Sequence, residues 1–290
     1  MQGTPILEEK LRNLKTWLIQ LGYAQSTINQ TTRNITIFFS WLKENKLELE
    51  KLSPKELQNY NKYLHETPTK TGKILKRGTI KTHLSALKLL DNYYQKQEGK
   101  KLLTTDLKLE KELPIEREIL TIHEINKLYK EIESNHQGQL DKVILGLFYG
   151  CGLRSREGLN LKVEDIDFKN KVLEIVKSKT KTNRYIPLSP RIIQDLKSYI
   201  YYTRKYIIRD IKEKSLLINH RTGKKLGSGT IRKRIKHLLN KANIEKKIST
   251  HNLRHSIGSH LLKQGMSIEQ ISQFLGHKTI ETTKIYTKIY

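Results

Sequence analysis

Leu7, Leu11, Leu14, Leu18 and Leu21 recur at steps of three and four residues, the spacing that aligns side chains along one face of an α-helix. This repeat restricts the first hundred residues to helices that bury one stripe. Gly22 ends the first run. A second begins near Ser26 and carries Ile28, Ile35, Phe38, Phe39 and Leu42. Ser53-Pro54-Lys55-Glu56 supplies an N-cap serine, a proline at the first helical position and an acidic first turn. From Thr79 a fourth helix carries Ile80, Leu84, Leu87, Leu90 and Tyr94. Four short helices with basic residues between them predict a small bundle over residues 1–100.

The periodicity then lapses. Glu98-Gly99-Lys100-Lys101 leads into a highly charged stretch ending around Pro114, which predicts a linker over 101–118. Helical spacing returns at Thr121 (Ile122, Ile125, Leu128, Ile132) and from Leu140 to Tyr149. Val172, Leu173, Ile175 and Val176, then Tyr185, Ile186 and Leu188, are β-type runs flanking the polar Lys177–Arg184 stretch; they predict a β-hairpin with a very basic tip. Helices resume at Ser189-Pro190, around Thr230–Leu239 and from His251 onward. The fold class expected is mainly α with a small β-sheet. A length of 290 residues suits two domains, 1–100 and 119–290.

The formal charge of +26 and a pI of about 9.9 point to a polyanionic partner, with nucleic acid first. A merely solubilising cationic surface is the alternative. The excess is +8 over residues 1–110 and +18 over 111–290, so both parts are basic and could grip DNA from two sides. Cys151 is the lone cysteine, which excludes an intramolecular disulfide and leaves too few thiols for a structural zinc site. The longest apolar stretch, Val143 to Leu153, is too short to span a bilayer, and residues 1–10 show no secretory leader. A cytoplasmic protein that does not use a membrane is expected.

Three local motifs carry chemistry. Gly152-Leu153-Arg154-Ser155-Arg156-Glu157 sits at a helix break made by Gly150 and Gly152; alone it also fits a surface ion pair. In His251-Asn252-Leu253-Arg254-His255, residues 251, 254 and 255 share one helical face, with Leu253, Ile257 and Leu261 on another. By itself this fits a satisfied helix-start histidine beside a solvated arginine. Ser267 and Gln270 form a capping box for a helix that Gly276 ends as a left-handed C-cap, which leaves His277 where the helix dipole favours imidazolium. Tyr286 follows nine residues later, on a short helix expected from near Thr279.

Taken in order, Arg154, His251-x-x-Arg254, Leu275-Gly276-His277 and Tyr286 resemble the tyrosine recombinase (phage-integrase) family, in its Xer-like form, over roughly residues 121–286. The resemblance implies a core-binding bundle joined to a catalytic domain and site-specific DNA recombination through a 3′-phosphotyrosyl intermediate. Tyr286 would be the nucleophile, with Arg154 and Arg254 on the scissile phosphate. His251 would be the general acid/base, and His277 would hydrogen-bond a phosphate oxygen. A hairpin lysine would protonate the leaving 5′-oxygen. Aligning Arg184 and Pro187 with the family's hairpin selects Lys179, with Lys181 second and Lys177 left as a phosphate contact.

The resemblance also implies no cofactor and no metal. The carboxylates Glu157, Glu164, Asp165 and Asp167 read as charged surface pattern, with no set that could hold the ions of a two-metal nuclease. Partners implied are double-stranded DNA recombination sites, a homotetramer on two of them, and an accessory recombinase or DNA-bending protein. Departures are Gly158 in place of a larger apolar residue and Ser178-Lys179-Thr180 where glycine flanks the lysine. Only four residues follow Tyr286, fewer than the family's docking tail; the last, Tyr290, shares its helical face. The competing readings are a monomeric type IB topoisomerase-like enzyme and a non-enzymatic DNA-binding protein.

Overall fold

A computed structural model describes residues 3–68, 72–102, 118–176 and 183–276. The chain forms two compact units, residues 1–113 and 114–290. The expected linker lies mostly outside the described residues.

The first unit contains α1 (Gly3–Gln20), α2 (Gln25–Glu44), α3 (Pro54–Glu66) and α4 (Arg77–Glu98). With lengths of 13 to 22 residues they are not short. α1 ends just before Gly22, which takes φ +70°, and α4 ends on Gly99 in the left-handed conformation. At the start of α3 the Ser53 hydroxyl accepts from the Glu56 N–H, and the Glu56 carboxylate accepts from the Ser53 N–H at 2.6 Å. The apolar stripes of the four helices meet inside: Leu14, Leu18, Ile35, Phe38, Leu57 and Leu90 are buried, whereas Leu21, the last of the leucine repeat, lies beyond the end of α1 and is exposed. Each contributes about 1.5–3 kcal/mol of transfer free energy. Aromatic rings fill the centre, with Phe38 and Tyr60 edge to face at 4.8 Å between centroids.

The second unit opens with α5 (Ile122–Lys130), capped by Thr121, and α6 (His136–Leu145), capped by Asn135. α6 passes into a wide π-type turn, Gly146–Gly150. Then come α7 (Ser155–Asn160) and a three-stranded antiparallel sheet in the order β1 (Ile166–Asp167), β2 (Val172–Ile175), β3 (Arg184–Pro187). β2 and β3 are the expected hairpin, with Ile175 opposite Arg184; its basic tip, residues 177–182, lies outside the described residues. β1 was not expected, because two residues leave no alternation to read. α8 (Pro190–Tyr199) has Ser189 as N-cap and Pro190 at its first position, and continues through a second π-type turn into α9 (Lys205–Ile207). α10 (Ser228–Lys241), α11 (Thr250–Lys263) and α12 (Ile268–Leu275) complete the described part.

The core of this unit is mostly aliphatic, with Leu128, Ile144, Leu173, Ile186, Leu216, Ile235 and Leu253 buried around Phe148 and Tyr199. A smaller cluster positions the site: Ile271 and Leu275 of α12 pack against Ile257 and Leu261 of α11. Gly158 has a packing reason. A Cβ there would meet the Phe148 ring at 2.6 Å, so Phe148 occupies the space a larger residue would need.

Candidate active site

The loop between the π-type turn and α7 depends on Gly152. Its φ is +58°, and a Cβ would lie 2.6 Å from Leu275 Cδ2, so only glycine lets the loop lie against α12. The carbonyl of Gly152 accepts from Arg254 Nη1 at 2.6 Å. Arg154 stands at the N-cap position of α7, and its N–H donates to Glu157 Oε2 at 2.8 Å, which closes the first turn. Arg154 Nη1 pairs with Glu157 Oε1 at 2.8 Å.

The local ion pair expected from sequence is therefore present, but it is not a surface pattern. The Glu157 side chain is 16% exposed and also meets Arg184 Nη2 at 3.1 Å, with Arg254 Nη1 at 3.9 Å. Burial pushes the Glu157 carboxyl up. The Arg184 charge and the donors of Arg154 outweigh it and hold the group below its ordinary value. Burial lowers the Arg184 guanidinium, and Glu157 opposes that.

Arg254 differs from the expected solvated arginine, being 1% exposed. Leu253 and Arg254 are both buried, so α11 faces protein on its polar side as well as its apolar one. Besides Gly152, Arg254 donates from Nη2 to the Leu275 carbonyl at 2.6 Å. Arg184 Nη1 donates to the same carbonyl, and Arg154 Nη2 donates to the Gly276 carbonyl at 2.7 Å. Gly276 has φ +63° and ψ 49°, the left-handed C-cap that the sequence predicts, with the Ser267–Gln270 capping box at the other end of α12. Three guanidinium groups thus meet at the end of one helix, where unsatisfied carbonyls carry partial negative charge. Among the described residues, Glu157 is the one carboxylate paired with them.

His251 lies exposed in the first turn of α11, three residues before Arg254. Ser249 and Asn252 cap that turn reciprocally. The His251 and His255 Nε2 atoms are 3.1 Å apart, and His255 is 5% exposed. Cys151 is buried and its thiol is pushed up to about 12 by burial, which makes it an inert packing group.

The structure brings Arg154 and Arg254 together, with His251 one helical turn before Arg254. Lys179, its rival Lys181, His277, Tyr286 and Tyr290 lie outside the described residues, as does the helix expected near Thr279. The sequence did not mark Glu157 or Arg184 as members of this cluster, and it placed His255 only on the helical face of His251, whose ring it meets. For Arg184 a signal existed, since it alternates with Tyr185 and so shares the inward face of β3 with Ile186. Among the described residues no group of three or more His, Cys, Asp or Glu could hold a metal ion, and no helix is long and apolar enough to cross a membrane.

Residues 118–290 match the phage integrase family, and residues 14–98 match the phage integrase N-terminal SAM-like domain. The tyrosine recombinase XerD of Staphylococcus epidermidis is 31% identical over 98% of this chain and 94% of that protein. The fold is shared with XerH recombinase bound to its difH substrate (TM-score 0.71, 22% identity, 89% of this chain and 75% of that one). It is also shared with the Tn1549 transposon integrase in complex with circular intermediate DNA (TM-score 0.73, 16% identity, 96% and 94%). With the family model spanning more than half the chain and a relative this similar along nearly all of it, the chain belongs to the phage integrase family of tyrosine recombinases, DNA breaking-and-rejoining enzymes of site-specific recombination.

Proposed function

We propose that this chain cleaves and rejoins double-stranded DNA at recombination sites through a 3′-phosphotyrosyl link to Tyr286, as a Xer-type recombinase or a mobile-element integrase. The observation that carries this reading is the meeting of Arg154, Arg184 and Arg254 around one carboxylate at the end of α12. A cluster with more guanidinium than carboxylate suits a ligand that brings negative charge, and a scissile phosphate does so increasingly as it becomes pentacoordinate. The Arg154 side chain is 40% exposed and offers the phosphate a point of entry.

The Tyr286 hydroxyl attacks phosphorus and passes its proton to His251; a free tyrosine has a pKa near 10, so a base and a cationic field both help. The bond to the 5′-oxygen breaks, and Lys179, with Lys181 as second choice, gives that oxygen a proton. His277, next after Gly276, hydrogen-bonds a phosphate oxygen. The covalent link retains the phosphodiester energy, so attack by the 5′-hydroxyl of a second strand regenerates Tyr286 without ATP. No cofactor takes part in these steps.

The DNA-bound state of the XerH and Tn1549 structures supports double-stranded DNA as the partner. The net charge of +26 predicts that binding weakens steeply with salt as phosphate counterions are released. Strand exchange calls for a homotetramer on two DNA sites, with an accessory recombinase or DNA-bending protein as further partner, in the cytoplasm. The test is a suicide substrate nicked near the target site, incubated without added metal. Wild type should accumulate a covalent adduct; Tyr286→Phe should give none while still binding DNA. An adduct that survives in Tyr286→Phe and disappears in Tyr290→Phe moves the nucleophile to Tyr290. Relaxation of supercoiled plasmid without a specific site would instead favour the topoisomerase-like reading.

A further inference from the structure

Arg184 has no role in the steps above, yet it touches two of the segments that carry them and adjoins the third. It begins β3, two residues after the basic hairpin tip that bears Lys179 and Lys181. Its Nη1 donates to the Leu275 carbonyl, two residues before His277. Its Nη2 meets Glu157 at 3.1 Å, and Glu157 in turn holds both the backbone N–H and the guanidinium of Arg154. It is also packed against Gly276, where an added Cβ would stand 3.0 Å from Arg184 Cδ and closer still to Nη1. Gly276 is thus required both by its left-handed φ and by the guanidinium beside it.

The position is costly for a charged side chain. Arg184 is 8% exposed, burial lowers its affinity for the proton, and its buried Nε has no acceptor among the described residues. An arginine kept for packing alone would be better replaced by an apolar residue matching Ile186 beside it on the inward face of β3. A planar fork does what an apolar residue cannot: it fixes a carbonyl and a carboxylate at once. That geometry ties the end of α12, the α7 carboxylate and the foot of the hairpin to a single rigid group.

We infer that Arg184 is a positioning residue for strand cleavage, which sets the α12 terminus and, through Glu157, the Arg154 guanidinium in register with the hairpin that carries Lys179. This rests on the phosphotyrosyl reading of the same site. Both Nη groups of Arg184 are held by the Leu275 carbonyl and Glu157, so it acts through those partners; a small displacement of the groups they align is enough to slow a reaction that depends on alignment.

The experiment is single-turnover adduct formation on the nicked suicide substrate, with DNA affinity measured alongside, for wild type, Arg184→Met and Arg184→Lys. In a purely structural role, loss of Arg184 reduces the fraction of competent molecules, so the adduct amplitude falls and the rate constant of the survivors is that of wild type. In a positioning role the amplitude is kept and the rate constant falls. We expect Arg184→Met to lose about 100-fold in rate constant with DNA affinity within about threefold. Arg184→Lys, which keeps the charge but not the fork, should recover at most about tenfold of that loss. Should Arg184→Met fail to fold, Arg184→Lys decides the question by the same ratio of rate to amplitude. A rate constant within about threefold of wild type in a folded Arg184 variant overturns the inference. If wild type itself forms no adduct, the phosphotyrosyl reading fails, and that outcome is separate from the Arg184 comparison.

Discussion

The catalytic unit contains two buried ionic clusters built on opposite principles. In one, Asp141 of α6 and Arg234 of α10 form a closed fork. Arg234 Nε donates to Oδ1 at 2.7 Å and a second N–H donates to Oδ2, with the Asp141 side chain 2% exposed. One positive charge meets one negative charge, both carboxylate oxygens are satisfied, and the pair joins two helices. In the other, Glu157 serves Arg154 and Arg184, with Arg254 just beyond it, and further Nη donors of all three rest on the backbone carbonyls of Gly152, Leu275 and Gly276. The first is neutral and complete. Among the described residues the second holds three guanidinium groups against one carboxylate, with backbone carbonyls as further acceptors, which suits the phosphate site proposed above better than a brace.

Breaking one partner of the neutral pair should have the largest effect on stability. Asp141→Ala leaves the Arg234 charge half-buried and uncompensated, and we expect a loss of roughly 3–5 kcal/mol. Hydrogen exchange of α6 and α10 measures it. At temperatures where the variant is folded, the cleavage rate constant should stay within about threefold of wild type. Arg154→Ala should do the reverse. Removing one donor for the transition-state charge costs about 10²–10³ in the rate of adduct formation, while thermal unfolding moves little because Arg154 is the most exposed of the three guanidinium groups. If Asp141→Ala slows cleavage as much as Arg154→Ala does, the division between brace and site fails.

Acid should distinguish the clusters next, because burial raises the Asp141 carboxyl above its ordinary value whereas Glu157 is held below its own. The folded Glu157 carboxyl titrates below its ordinary value. Its contribution to stability is therefore intact above the unfolded value of about 4.5 and lost as pH falls through the folded one. His260, held down by burial and bonded to the Tyr149 hydroxyl at 2.9 Å, adds a loss that begins earlier. That loss starts as pH drops below about 6.5, because the folded state resists the proton that the unfolded chain accepts. Urea unfolding of wild type and His260→Gln, followed from about pH 7.5 to about pH 5 across the ordinary histidine value, should converge toward the acid end. The smallest expected effect lies in the other unit. Ser53→Ala removes the α3 cap and should cost about 1 kcal/mol without altering the cleavage rate constant. Tryptophan fluorescence reads it selectively, since Trp17 and Trp41 are both in that unit.

Most helix positions and the β2–β3 pairing were legible in the sequence because each rests on local spacing, and the family because its motifs, each local, follow one another in order. The Leu7 to Leu21 repeat, the capping pairs at Ser53 and Ser267 and the left-handed Gly276 require no knowledge of distant residues. The two-residue β1 was not legible, because its pairing is defined only by Val172 and Leu173 across the turn. Glu157 was read as surface for a similar reason. Arg154 is visible three positions away, but Arg184 and Arg254 approach it from 27 and 97 residues further along.

The sequence by itself carried the family, since Arg154, His251, Arg254, His277 and Tyr286 stand in the order and spacing by which the chain resembles tyrosine recombinases. Tertiary structure decided how the charges are held. Arg254 turned out to be buried, Glu157 to be shared, and Arg184 to join strand, helix and carboxylate. The physical reason is that spacing along a helix fixes which side chains share a face. Burial and partnership depend on what packs against that face, and here that is the carbonyl end of α12, brought within 2.6 Å of Arg254 by the closely packed Gly152 loop.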